Sequence, residues 1–498
     1  MDYIYKKSGA LFNAHSYWTK QPVEVIRAFI EANTHEGDVV LDPFCGSGMT
    51  GVAAIQSNRK FILSDISPVC VHIAKGYCNK LQKKDISEEL SILLSKIAYL
   101  YETKCPHCGK KVQFDYAVLE DQLEKNKKLR FDRMVIHCAC QKNKILKKPD
   151  SHDLKIFDSK EYENFFYPKN EFFGNEPKRN YKRGIKRVYQ LYSKRNLTAL
   201  SILRKAITDI KDESIKQLFL FAFTSILFNC SLMSRYNPKY ENTQIKMGTF
   251  YIPQFIKDNN VLTSFARKVK SILKANDETF NASSLYDGQI MISDATDLSH
   301  IEDQSVDYIY TDPPYSDKIS YSELNIVYEA WIGNGITNSK REMIVSKASG
   351  KSIGFYSEMF KKFMREAFRV LRDGKKLTII FHNSSIAHWK CFQEIVNVNG
   401  FKPVITNEPD RLLSLSKTST QHQTDNDSQC FLAFNFIRDK KYKCNNSLKE
   451  LNNDDYKQVV AKIREEAIEN GFKAKCDQFD YIINRLLFKY KIKENIKI

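Results

Sequence analysis

Short apolar, β-branched runs recur along the chain at Val39-Val-Leu-Asp42, Phe61-Ile-Leu-Ser64, Gln289-Ile-Met-Ile-Ser293, Val306-Asp-Tyr-Ile-Tyr310, Lys376-Leu-Thr-Ile-Ile-Phe381, Phe401-Lys-Pro-Val-Ile405 and Cys430-Phe-Leu-Ala-Phe-Asn-Phe436. Their length and composition predict seven strands. Between them, 49–56 has helix composition, 69–75 restarts helical spacing, and the segment from Tyr356 to Leu371 carries apolar residues at 356, 359, 360, 363, 364, 367, 368, 370 and 371. That last stripe has a helical period and Gly374 follows it closely, as at a helix end. Strands alternating with helices predict an α/β fold with a largely parallel sheet covered on both faces.

From about 100 to 285 this alternation breaks off. A Cys-rich piece runs to about 150 and an aromatic and basic piece to about 196, followed by helical patterns at 197–210 and 215–233. The expected organisation is one α/β domain in two parts, 1–99 and 286–437. It is split by a Cys-rich module at 100–150 and a helical, basic insertion at 151–285, and followed by a charged helical tail at 438–498. The polar run Ser414–Ser428 predicts a loop. The most apolar stretch, Leu218–Met233, is 16 residues long and interrupted by Thr224, Ser225, Asn229 and Ser231, short of the ~20 that a membrane span requires. It reads as a buried helix, and no internal repeat is evident.

Composition narrows the class. Of 498 residues 42% are hydrophobic and 12% aromatic, with only 18 Gly and 13 Pro, which excludes collagen-like, low-complexity and globally disordered chains. The start, Met1-Asp-Tyr-Ile-Tyr-Lys-Lys, lacks the features of an export signal, so a cytoplasmic protein is expected. Lysines and arginines number 77 against 59 acids, a formal charge of +18. That favours a polyanionic partner without separating DNA, RNA and acidic lipid. Of twelve cysteines only four stand in close pairs, which suits a reduced compartment rather than a disulfide framework.

Four stretches carry candidate chemistry. Asp42-Pro-Phe-Cys-Gly-Ser-Gly48 follows the first predicted strand and opens a helix, where a parallel sheet binds its ligands. Gly46 and Gly48 allow close approach to the backbone, and Asp65 ends the next strand, where an acid can accept both hydroxyls of a ribose. The acidic start of the turn disfavours a pyrophosphate, so a nucleoside is expected rather than a dinucleotide. Asp312-Pro-Pro-Tyr315 follows the strand at 306–310. Two prolines cannot donate, so their carbonyls and the carboxylate form a cluster of acceptors suited to an exocyclic amine, with an aromatic ring beside it. Cys105-Pro-His-Cys108 and Cys138-Ala-Cys140 can form a tetrahedral Cys₄ metal site, His107 or His137 can replace one thiolate, and a redox pair or free thiols remain alternatives. Finally, 178–195 holds Lys178, Arg179, Lys182, Arg183, Lys186, Arg187, Lys194 and Arg195 with no acid, interleaved with Tyr181, Tyr189 and Tyr192. This run suits a phosphate backbone with stacking partners, or else a solvated helix face.

The glycine turn and Thr311-Asp-Pro-Pro-Tyr315 together resemble the S-adenosylmethionine-dependent DNA amino-methyltransferases, most closely the adenine-specific DNA methylases that contain a zinc ribbon. Tyr315-Ser-Asp-Lys-Ile-Ser-Tyr-Ser-Glu-Leu324, Leu191-Tyr-Ser-Lys-Arg-Asn-Leu-Thr-Ala-Leu200 and Ser234-Arg-Tyr-Asn-Pro238 support the likeness, which spans about residues 8–437. It implies a Rossmann-like, seven-stranded mixed sheet of the class I methyltransferases with a zinc-ribbon and helical insertion. For the cofactor it implies Asp42, Pro43, Phe44, Gly46 and Gly48 at the methionine end, Asp65 and Ile66 at the ribose, and Asp294 and Ala295 at the adenine. His15-Ser-Tyr-Trp-Thr-Lys-Gln-Pro22 resembles the motif closing over the methionine end, making Lys20 and Pro22 further candidates; core packing is the alternative for Trp18. Asp312, Pro313, Pro314 and Tyr315 would be catalytic, with Tyr315 stacking on a flipped base. Cys105, Cys108, Cys138 and Cys140 would hold a structural zinc, and Arg179, Lys182, Arg183, Lys186 and Arg187 would contact DNA. The implied activity is methylation of adenine N6 in double-stranded DNA, in restriction-modification or phage defence, with an associated restriction or defence protein compatible with it. Cytosine N4 in DNA, a guanine amine in RNA, or a non-catalytic zinc-dependent nucleic-acid-binding protein are the alternatives.

Overall fold

A computed structural model describes residues 2–5, 8–81, 86–123, 129–246, 248–280, 287–317, 319–383, 385–406, 408, 410–414, 430–444, 448–472 and 475–493. The chain opens with strands β1 (Asp2–Tyr5), β2 (Val39–Asp42) and β3 (Lys60–Asp65). It then builds a separate group, β4 (Glu102–Lys104), β5 (Lys111–Glu120), β6 (Arg130–Cys138), β7 (Gln141–Lys147), β8 (Arg235–Asn237), β9 (Tyr240–Gln244) and β10 (Phe255–Asn259). It returns with β11 (Gly288–Ile292), β12 (Val306–Thr311), β13 (Leu371–Phe381), β14 (Phe401–Pro403), β15 (Asp410–Ser414) and β16 (Cys430–Arg438).

Among the described residues the main sheet has nine strands, in the order β1-β15-β16-β13-β12-β2-β3-β11 with β14 also on β16. Every one of the seven expected strand segments lies in it, but the count of seven is too low. The additions are β1 and β15, which pair in parallel from Asp2 with Arg411 to Tyr5 with Ser414. One lies at the very start of the chain and the other abuts the polar run, so neither shows enough alternation to be read as a strand. Of the predicted loop Ser414–Ser428, Ser414 ends β15 and the rest lies outside the described residues.

The five strands β13-β12-β2-β3-β11 are parallel, while β16 runs antiparallel to β13. All six positions of β12 are buried, as expected of a strand covered on both faces. From β2 the chain moves outward through β3 to β11, then returns to the other side of β2 with β12. Strand order therefore reverses between β2 and β12, and a crevice opens there beyond their carboxyl ends.

The second sheet has seven described strands, β7-β6-β5-β10-β8-β9 with β4 on β5, and every pairing in it is antiparallel. The Cys-rich piece is therefore not a small free-standing ribbon. Its strands β5 and β6 continue into a larger sheet because Ala117, Leu119, Met134 and Ile136 present one apolar face to the core. Helix Lys194–Thr208 is anchored beside this sheet by Arg195, whose guanidinium donates to Asp258 of β10 at 2.6 Å with both side chains almost completely buried. Arg195 also lies over the Phe114 ring at 4.5 Å. It belongs to the core, although it ends a run of basic residues.

The tail is less solvated than its charge suggests. Helices Asn453–Glu469 and Lys475–Leu487 bury Tyr456, Tyr481, Ile482, Ile483 and Leu486, and Gln393 Nε2 donates to the Leu487 carbonyl at 2.7 Å. Among the described residues no helix is long and apolar enough to cross a membrane.

Candidate active site and cysteine cluster

The crevice at the reversal point is a cleft lined by residues from the strand ends around it. Asp42 ends β2, Asp65 ends β3, Asp294 follows β11 and Asp312 follows β12. The sheet thus places four carboxylates around one opening. Pro43, Phe44, Gly46, Ile66, Ala295 and Pro314 also line it.

Each carboxylate is held differently. Asp42 is buried and accepts from Thr50 Oγ1 at 2.6 Å, Thr311 Oγ1 at 3.0 Å and the Phe44 amide at 3.1 Å. It therefore joins the ends of β2 and β12, and burial pushes its carboxyl up to about 6. Asp65 accepts from the amides of Gly46 at 3.0 Å and Ser67 at 2.9 Å, and burial raises it to about 6 as well. Asp294 accepts from Thr296 and forms an ion pair with Arg341 at 2.8 Å. Burial pushes Asp312 up to about 7, opposed by donors from the Tyr315 hydroxyl and from Gln21 Nε2 at 2.6 Å.

The glycines of the turn do different work. At Gly46, with φ +48°, an added Cβ would press on the Tyr17 ring at 3.2 Å, so this turn borders the cleft closely. At Gly48, with φ +77°, a Cβ would fall 2.6 Å from Ala74 Cα. Gly48 therefore lets helix Met49–Gln56 pack on helix Pro68–Cys78, and it does not line the cleft.

Four other expected residues stand apart from the lining. Lys20 is buried and directed away, its ammonium donating to the carbonyls of Phe12 at 2.6 Å and His15 at 2.8 Å and to the Tyr77 hydroxyl at 2.8 Å. Pro22 caps helix Val23–Asn33. Pro313 is buried. Tyr315 is also buried, its hydroxyl on Asp312 and its ring against Phe431 at 5.6 Å and Phe381 at 5.9 Å. Trp18 packs on Phe228 and donates to Asn325 Oδ1 at 2.7 Å.

The cleft also gathers residues that were not singled out as candidates: Tyr17, Thr19 and Gln21 from the stretch His15–Pro22, Tyr321 from the stretch Tyr315–Leu324, and Arg341. Gln21 and Thr19 sit within the stretch around Lys20. Their positions carried a signal, but the sequence did not show which of them faces inward.

The four cysteines converge. Cys105 Sγ lies 3.7 Å from Cys140 Sγ, Cys108 Sγ lies 3.5 Å from Cys138 Sγ, and all four sulfurs fall within 4.8 Å of one another. Tetrahedral thiolates at about 2.3 Å from an ion stand roughly 3.8 Å apart, so the cluster fits a metal ion. His137 instead pairs with Asp115 at 2.9 Å.

The basic run is not uniform. It begins as a short 3₁₀ turn, Pro177–Arg183. Arg179 pairs with Glu176 at 3.3 Å, Arg183 with Asp121 at 3.0 Å and Arg187 with Glu171 at 2.9 Å. Lys182 and Lys186 are exposed.

Residues 3–76 match the family described as DNA methylase, a span that includes the glycine turn and Asp65. The chain is similar to the type II methyltransferase M.MjaII of Methanocaldococcus jannaschii, 24% identical over 438 residues, which cover 80% of this chain and 77% of that protein. It is similar over shorter stretches to the type II methyltransferase M.Cfr9I of Citrobacter freundii, 39% identical over 92 residues that cover 16% of this chain and 30% of the relative. The DNA adenine methyltransferase YhdJ of Escherichia coli is 47% identical over 49 residues, covering 10% of this chain and 17% of its own. By its two motifs, the family match at its N-terminal end and these relatives, the chain is similar to the DNA amino-methyltransferases.

Proposed function

We propose that the chain is a DNA methyltransferase that transfers a methyl group from S-adenosylmethionine to the exocyclic N6 of a flipped adenine. The observation that carries this reading is the convergence of Asp42, Asp65 and Asp294 with Asp312 on one cleft. The acids suit a cofactor with a free ammonium, ribose hydroxyls and an adenine amine. Asp65 and Ile66 would face the ribose, Asp294 and Ala295 the adenine, and Asp42, Pro43, Phe44 and Gly46 the methionine end. S-adenosylmethionine, when bound, supplies a methyl group already activated by its sulfonium.

The chain's own task is to make a poor nucleophile react. An adenine amine is conjugated with its ring, and an acceptor on its hydrogens localises the lone pair. Asp312 supplies that acceptor, with the carbonyls of Pro313 and Pro314 beside it. The Pro314 carbonyl is fixed by the Tyr356 hydroxyl at 2.9 Å. Tyr315 would have to leave Asp312 to stack on a base.

The test is product analysis. With tritiated cofactor, digested DNA is expected to carry label in N6-methyladenine, because Asp-Pro-Pro-Tyr in the resembled family more often accompanies adenine. Label in N4-methylcytosine would refute the base assignment, and label only in RNA would refute the substrate class. YhdJ is described as an adenine methyltransferase, which supports the adenine reading. M.MjaII is described as a type II methyltransferase, which supports a place in restriction-modification.

For the insertion, we propose that the cysteine cluster holds a structural zinc and that residues 151–285 recognise the target. Lys182 and Lys186 are exposed members of the basic run and would meet phosphate. Replacing both with Ala is expected to flatten the dependence of log K on log salt by roughly 1 to 2, measured by DNA titration at several salt concentrations. An unchanged slope would mark the run as solvated surface. Arg183→Ala should act differently, lowering stability because it leaves Asp121 without its ion pair.

A further inference from the structure

Gln21 is the link between the N-terminal segment and the Asp-Pro-Pro-Tyr loop. Its Nε2 donates to Asp312 Oδ2 at 2.6 Å and its Oε1 accepts from the Tyr310 hydroxyl at 2.6 Å. A carboxylate requires a donor, so these partners fix which way the amide is turned. The Tyr315 hydroxyl donates to Asp312 Oδ1 from the other side. Among the described residues Asp312 has no ion pair.

We propose that Gln21 is a positioning residue for methyl transfer: by hydrogen-bonding Asp312 Oδ2 it keeps that carboxylate ionised and oriented toward the target amine. The inference rests on the reading of Asp312 as the acceptor for that amine. A carboxylate oxygen has two acceptor sites, so Gln21 leaves room for the incoming amine on the same oxygen.

The electrostatic surroundings give this bond its importance. Asp312 is faced by Tyr315 from its own loop, Tyr310 from β12, Asp42 from β2, Tyr321 from helix Tyr321–Ile332 and Gln21 from the N-terminal segment. Burial pushes the three phenols up, so they stay neutral near pH 7. The one other acid, Asp42, disfavours a charge on Asp312 and is itself raised to about 6. Neutral donors are therefore what holds Asp312 near 7 rather than higher. A hydrogen bond to the charged form favours that form, so removing Gln21 raises the Asp312 midpoint. More of the protein is then protonated at neutral pH, and the rate falls there but recovers at higher pH.

The experiment uses the full chain with ¹³C-labelled aspartate carboxyls, titrated by NMR, with Asp312→Asn assigning the signal. Gln21→Leu is expected to move the Asp312 midpoint up by about one pH unit, the size of a hydrogen bond to a charged group. Gln21→Glu keeps the side chain's shape but brings in a second carboxylate, so it should move the midpoint further; it also serves as the test if Gln21→Leu does not fold. Single-turnover methyl transfer to genomic DNA from a methylation-deficient strain should show its acid limb displaced equally, with S-adenosylmethionine affinity changed by less than about twofold. An unmoved midpoint, or a wild-type midpoint in Gln21→Glu, would overturn the proposal, as would a rate loss that is the same at every pH. A midpoint that moves in a protein that transfers no methyl group would support the hold of Gln21 on Asp312 and overturn the reading of the site as a methyltransferase.

Discussion

Asp312→Asn is expected to lower single-turnover methyl transfer by about 10³-fold or more, while S-adenosylmethionine affinity changes by less than about threefold. Asparagine keeps the shape but replaces one carboxylate oxygen with a nitrogen that donates. Gln21 and Tyr315 both donate to the carboxylate, so one of them would then face another donor and the target amine would lose an acceptor. The cofactor-facing acids, Asp65 and Asp294, are held by separate partners, the first by Gly46 and Ser67 and the second by Thr296 and Arg341. Asp65→Asn should accordingly act in the opposite sense, weakening cofactor binding first. A full rate in Asp312→Asn, measured with saturating cofactor and labelled methyl group, would remove Asp312 from the chemistry.

The second large effect is expected at the cysteine cluster. Purified protein should contain about one zinc per chain, and Cys105→Ser with Cys138→Ser should abolish it. The cluster closes the turn between Cys105 and Gly109, where the Gly109 amide donates to the Cys105 carbonyl at 2.9 Å, onto the β6–β7 turn at Cys138 and Gln141. Without an ion, two turns lose a common anchor. A stability loss of ~5 kcal/mol or more is expected for this end of the sheet, since apparent binding energies of structural zinc in small peptides are about 10–16 kcal/mol. Hydrogen exchange should localise it to β4–β7 and leave β2 and β12 protected. Unchanged metal content in the double variant would refute the Cys₄ assignment.

What the sequence revealed of the site follows from how local each signal is. Asp42, Asp65 and Asp312 were legible because each stands at the end of an apolar run, and a parallel sheet brings such ends together without further information. Gln21 was not, because its partners Tyr310 and Asp312 are distant in sequence and only the packing of the N-terminal segment against β12 brings them near. Lys20 was chosen in its place. The two are adjacent, and which of two neighbours faces a cleft depends on a register that the extended segment does not display. The arginines of the basic run show a related limit, since a run of like charge shows nothing of the acids that meet it. Glu171, Asp121 and Asp258 come from three separate stretches. In the fold, strands of regular alternation were legible, whereas β1 is defined by its pairing with β15, and β15 by its place between β1 and β16. The Cys spacing announced the cluster, while the sheet that carries it is built by β8, β9 and β10 from about a hundred residues further on.

The parallel pairing of β3 with β11 joins Phe61 to Gly288 and Asp65 to Ile292, and the whole insertion is synthesised between them. At roughly 5–20 residues per second, β3 waits on the order of 10–45 s for its neighbour. During that interval it has one unpaired edge, and the Phe61 ring lacks the cover of Gly288, whose missing side chain leaves the space the ring occupies. Non-local pairing of this kind slows folding and exposes strand edges to other chains. An insertion that folds by itself would offset part of this, since a compact insert shortens the loop that must close. A nascent chain arrested between the two strands therefore displays the Asp42–Gly48 turn on a sheet still open to association.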